Sequence, residues 1–178
     1  MAAALTAQRP KREVFADLAP GWSLPLDSDE IWAAYRSRMP ELVSCAAGDA
    51  AALRDLCDAG WMLGIITNGM VDNQQGKIKN AGLAGLVDGW VISDEIGVRK
   101  PDAEIFRALA RRLDCPLDGW MIGDSLELDV IGGAAVGLRT AWITAAPAPP
   151  PASGPASVTA TITAPSVSEA VRLILADQ

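Results

Sequence analysis

Short apolar runs alternate with helical patterns through the middle of this 178-residue chain, and that alternation restricts its fold more than any other feature. Residues 61–67, 89–93, 120–123 and 138–144 are rich in Ile, Val, Trp and Met and are bounded by Gly or Asp. They read as strands of a parallel sheet, apolar on both faces. Between them, residues 50–59, 71–81, 103–113 and 128–136 carry apolar side chains at helical spacing. Gly60, Gly82 and Gly137 follow three of these segments, where a helix C-cap takes a positive φ. Strands that alternate with helices need right-handed crossovers. The expected fold is therefore α/β, a doubly wound, Rossmann-like, mostly parallel sheet flanked by helices.

The two ends of the chain read differently. Residues 29–39 suit a helix, with Asp27, Ser28 or Asp29 available to cap it, and nothing before them has comparable strand character. Residues 145–157 hold Pro147, Pro149, Pro150, Pro151 and Pro155 among Ala, Ser and Gly, which predicts a stiff loop. Residues 158–163 alternate β-branched side chains as a last edge strand would, and 166–176 suit a closing helix.

Composition narrows the chemistry. The net charge of −7 disfavours a nucleic-acid partner, whose affinity comes largely from Lys and Arg, but leaves room for a small phosphorylated ligand. The longest apolar run, residues 61–66, is far too short to span a membrane, and the N-terminus has basic residues after its apolar ones, the reverse of an export signal. A cytoplasmic location is expected. Cys45, Cys57 and Cys115 form no CxxC pair and read as reduced packing thiols. Histidine is absent, which removes Ser-His-Asp and Cys-His catalysis and His-ligated zinc. Carboxylates, lysine, hydroxyls and a hard metal ion remain.

Three motifs follow in order along the chain. Thr67 ends an apolar run and precedes the turn signal Asn68-Gly69. Its hydroxyl and nearby amides suit a phosphoryl group, or the residues are simply a strand-end turn. Lys100, within Gly97-Val98-Arg99-Lys100-Pro101, stands before a proline suited to the first position of a helix. It is either a point charge for a phosphate or a solvated surface residue. Asp124, in Ile122-Gly123-Asp124-Ser125, and Asp129 follow a further apolar run. They suit Mg²⁺, or a helix start capped by Asp124 or Ser125 with Glu127.

Together these motifs resemble the haloacid dehalogenase-like hydrolases, most closely the phosphatase-type members, over roughly residues 40–178. The resemblance implies a Mg²⁺-dependent phosphohydrolase acting on a small phosphorylated metabolite. By position, Thr67 would bind the transferring phosphoryl group, with Asn68 contributing its amide. Lys100 would stabilise nucleophile and phosphate, and Asp124 and Asp129 would be the metal-binding acids. The Gly-Asp form of the last motif favours phosphatases over the true dehalogenases. Receiver domains also use Asp, Thr and Lys, but their acids come before the Thr.

The resemblance also implies an aspartate nucleophile in a DxDx(T/V) motif on a strand ahead of Thr67. Asp27-Ser28-Asp29 has the spacing, but Pro25 interrupts the preceding run, Ile31 stands where Thr is expected, and a helix pattern begins at once. The expectation is that residues 1–45 are the remnant of a helical cap and 46–178 the core, without its first strand. Such a chain would hydrolyse phosphate esters little or not at all and could self-associate through an exposed sheet edge. A different class of protein keeps the same fold: a catalytically silent domain whose phosphate or metal pocket serves binding or protein interaction.

Overall fold

The computed structural model describes residues 11–18, 21, 27–144 and 159–177. The Pro-rich segment 145–157 and the first residue of the expected edge strand lie outside them. The chain divides into two compact units, Met1–Val43 and Ser44–Gln178. Among the described residues no helix is long and apolar enough to cross a membrane.

In the first unit, α1 (Lys11–Leu18) was not foreseen, and α2 (Ser28–Arg38) lies where a helix is expected. Of its candidate caps, Asp27 serves. Its carboxylate accepts from the Asp29 and Glu30 backbone N–H groups at 2.9 and 2.8 Å, and Glu30 accepts from the Asp27 N–H at 2.8 Å. Three backbone donors at the helix start are thereby satisfied, two by Asp27 and one by Glu30 in return.

The second unit runs α3 (Ala47–Asp58), β1 (Gly64–Thr67), α4 (Val71–Asn80), β2 (Gly89–Ile92), α5 (Ser93–Ile96), α6 (Ala103–Arg112) and β3 (Trp120–Gly123). A π-helical turn, Leu126–Ile131, leads into α7 (Gly132–Ala135), β4 (Arg139–Ile143), β5 (Ile162–Ala164) and α8 (Val167–Ala176). All three pairings among the described residues are parallel, in two sheets: β1 with β2, and β3–β4–β5. Thr67 lies opposite Ile92, and Gly123 opposite Trp142. The α/β class, the parallel pairing and the flanking helices agree with the sequence. Gly60, Gly82 and Gly137 have φ of 85°, 72° and 89°, as the expected caps require.

Strand pleating explains how helices come to cover both faces. Trp120 and Ile122, with Leu63, pack against Leu56 of α3 and Val171 and Ile174 of α8. Met121 and Ile66 point the other way, into the cluster of Val91, Ile105 and Phe106 that α6 completes. Arg112 fastens the end of α6 by donating to the Trp90 carbonyl and to Glu95. That guanidinium holds the Glu95 carboxyl below its ordinary value, and Glu95 in turn raises Arg112.

Several boundaries differ for local reasons. The β1 ladder starts at Gly64 because the Trp61 N–H donates to the Leu56 carbonyl of α3 and the Leu63 N–H to the Asp88 carboxylate. Pro101 precedes the α6 N-cap, Asp102, instead of opening the helix. The three cysteines are free, and Cys57 is exposed, its Sγ directed at the Leu86 carbonyl, so it is not a packed thiol.

Candidate active site

Thr67, Ile92 and Gly123 mark the carboxyl ends of three parallel strands, and the loops beyond them are stitched to one another. Thr67 donates its hydroxyl to the Gln74 side-chain oxygen of α4 at 3.0 Å. The Gly69 N–H donates to the Ser93 hydroxyl at 3.0 Å, and the Val71 N–H to Asp94 at 3.4 Å. The Gly69 amide therefore does not point outward, as the turn signal led one to expect. Gly69 has φ 150°, and a Cβ there would lie 2.5 Å from Gln74. Glycine is what lets that side chain reach Thr67.

Asn68 turns its side chain across to the loop after α5. Its Nδ2–H donates to the Lys100 carbonyl at 3.1 Å, and the Lys100 N–H donates to its Oδ1 at 2.8 Å. The Lys100 ammonium then meets Asp129 Oδ1 at 2.6 Å, with the two side chains only 11% and 4% exposed. Lys100 is no solvated surface lysine.

Asp129 owes its position to the π-helical turn. The Asp129 and Val130 N–H groups both donate to the Ser125 carbonyl, at 2.9 and 3.2 Å, which widens the helix where α geometry was expected. Ser125, not Asp124, is the N-cap, accepting from the Leu128 N–H at 3.2 Å. The second carboxylate oxygen of Asp129 accepts from the Ser125 N–H at 3.0 Å. A Cβ on Gly123 would stand 2.3 Å from that oxygen, so only glycine leaves room for it.

Both oxygens of Asp129 are thus engaged, whereas Asp124 is exposed and its carboxylate meets no partner among the described residues. Its backbone carbonyl is held by the Trp142 indole N–H at 3.0 Å. Among the described residues no group of three or more His, Cys, Asp or Glu gathers as a metal cage would. The donor offered is one free carboxylate, which suits Mg²⁺, an ion that keeps several waters and takes one or two carboxylates with substrate phosphate.

Sequence reasoning missed Gln74, Ser93 and Asp94. Ser93 and Asp94 could have been suspected, because they directly follow a strand at the edge where Thr67 lies. Gln74 carries no signal beyond being seven residues from Thr67.

The family model for haloacid dehalogenase-like hydrolases matches residues 26–137. The chain belongs to that family. Relatives of the haloacid dehalogenase-like core include pyrimidine 5'-nucleotidase YjjG of Escherichia coli (strain K12), 35% identical over 114 residues, 63% of this chain and 50% of that protein. Phosphoserine phosphatase of Thermus thermophilus is 39% identical over 85 residues, 47% of this chain and 34% of that protein. The chain thus spans half or less of these two relatives. Among solved structures, a HAD phosphatase from Thermococcus onnurineus superposes with TM-score 0.64 at 28% identity, covering 85% of this chain and 66% of that one. The HAD-hydrolase YfnB of Bacillus subtilis, solved bound to magnesium, reaches TM-score 0.75 at 23% identity, covering 90% and 69%. At that identity the likeness speaks for the fold alone.

Proposed function

We propose that this chain is the core of a Mg²⁺-dependent phosphohydrolase acting on a small phosphorylated metabolite. One observation carries the reading: Asn68, Lys100, Asp129 and Ser125 form a continuous hydrogen-bonded path whose two ends adjoin Thr67 and Asp124 in the chain, at the carboxyl ends of parallel strands. Ligands of open α/β sheets bind at that edge. An ammonium has three donors, so Lys100 keeps others for a phosphoryl oxygen while one points at Asp129. The Thr67 hydroxyl would exchange Gln74 for a second oxygen. Asp124 would hold the Mg²⁺, which when bound neutralises phosphoryl charge. The phosphatases among the relatives favour phosphate esters as substrates. Asp27 and Asp29 already have structural work, as the α2 cap and as the partner of Arg12 at 2.9 Å, so neither is assigned as nucleophile.

Calorimetric titration with inorganic phosphate tests the reading without requiring turnover. Binding should strengthen when Mg²⁺ is present. Thr67→Val should weaken it about fivefold, the worth of roughly one hydrogen bond. Absence of saturable binding, or binding indifferent to both Mg²⁺ and Thr67→Val, would count against it.

A further inference from the structure

We infer that Asn68 is a positioning residue whose side-chain amide locks the main chain of Lys100. The two bonds it makes there, at 3.1 and 2.8 Å, run in opposite directions across 32 positions of sequence, so they fix both the place and the roll of the Lys100 backbone. That backbone needs an outside partner, because Lys100 lies in a connection that belongs to no helix or strand. A buried N–H or carbonyl without a partner is costly. The anchor itself is firm. Thr67, the residue before Asn68, pairs with Ile92 in the sheet, and the Gly69 N–H after it is held by Ser93. Sheet rigidity is therefore passed through one amide to the lysine, whose ammonium then reaches Asp129 at 2.6 Å.

The side chain is specific to this task. Alanine offers neither bond. Aspartate keeps the acceptor for the Lys100 N–H but turns a second oxygen toward the Lys100 carbonyl. The inference matters for the proposed function, on which its link to phosphate rests, because it gives Asn68 a task in the phosphate site other than touching the phosphate.

Competitive acetylation of the intact chain, read by mass spectrometry, reports on Lys100 directly, with exposed Lys79 as the internal reference. In wild-type protein Lys100 should be the slower of the two. Asn68→Ala should speed its labelling relative to Lys79 about tenfold, as loss of two part-buried hydrogen bonds frees the loop. Asn68→Asp, which keeps one bond, should raise the ratio about threefold and serves if the alanine variant does not fold. A folded Asn68→Ala protein whose ratio stays within about twofold of wild type would overturn the inference, as would an unchanged ratio in Asn68→Asp. The readout separates two failures. If labelling changes as expected while inorganic phosphate does not bind, the clamp stands and the proposed function falls.

Discussion

Asp129→Ala should destabilise the chain by roughly 3–5 kcal/mol, because it leaves the Lys100 ammonium buried without its counter-charge. The pair lies 2.6 Å apart and is almost wholly removed from solvent. The loss also deprives the Ser125 N–H of its acceptor at the start of the π-helical turn. An exposed ion pair would cost at most about 1 kcal/mol, so the size of the effect distinguishes the two situations. Replacing both partners, as Lys100→Met with Asp129→Leu, should recover most of the loss, since a buried ion pair is often matched by apolar side chains of similar volume. Urea unfolding measures both, with a shifted midpoint and an unchanged slope. A single variant within about 1 kcal/mol of wild type would mean the pair is solvated.

The same double variant should lose the ligand while keeping the fold. Hydrogen bonds to charged groups are worth about 1.5–3 kcal/mol, so inorganic phosphate should bind roughly 10–100-fold more weakly once the ammonium is gone. Because the Asp129 carboxylate is removed too, the weakening cannot be ascribed to repulsion from an uncompensated acid. Titration of this variant beside wild type, both in Mg²⁺, measures the effect. Equal affinities would remove Lys100 from the proposed phosphate site even if the stability results came out as expected.

The strands and long helices were legible because their signals are local. The apolar runs ending at Thr67 and Gly123 have one period, α4 and α6 another, and Gly60, Gly82 and Gly137 mark where helices stop. The motif residues were legible for a different reason: Thr67 and Asp124 directly follow apolar runs, and Lys100 stands in the distinctive run Gly97–Pro101. What each side chain does there was not legible, because it depends on contacts between distant segments. Asp129 reads as a second metal acid until Lys100, 29 positions earlier, is seen on one oxygen and the Ser125 N–H on the other. Asn68 reads as a turn residue until it is seen on the main chain of Lys100. The π-helical turn also left no mark, since Leu128, Val130 and Ile131 keep a helical pattern while the backbone widens by one residue.

The proposed Mg²⁺ site is tested most directly by thermal unfolding with and without Mg²⁺, in wild-type protein and in Asp124→Asn. Mass action on the folded state predicts that Mg²⁺ at about tenfold over its Kd adds roughly 1.4 kcal/mol to the wild type. That is a rise of about 3–6 °C in Tm for a chain of this size. Asn in place of Asp124 keeps the shape but not the charge, so the rise should vanish. Equal Mg²⁺ responses in the two proteins, or no response in the wild type, would contradict a metal site at Asp124.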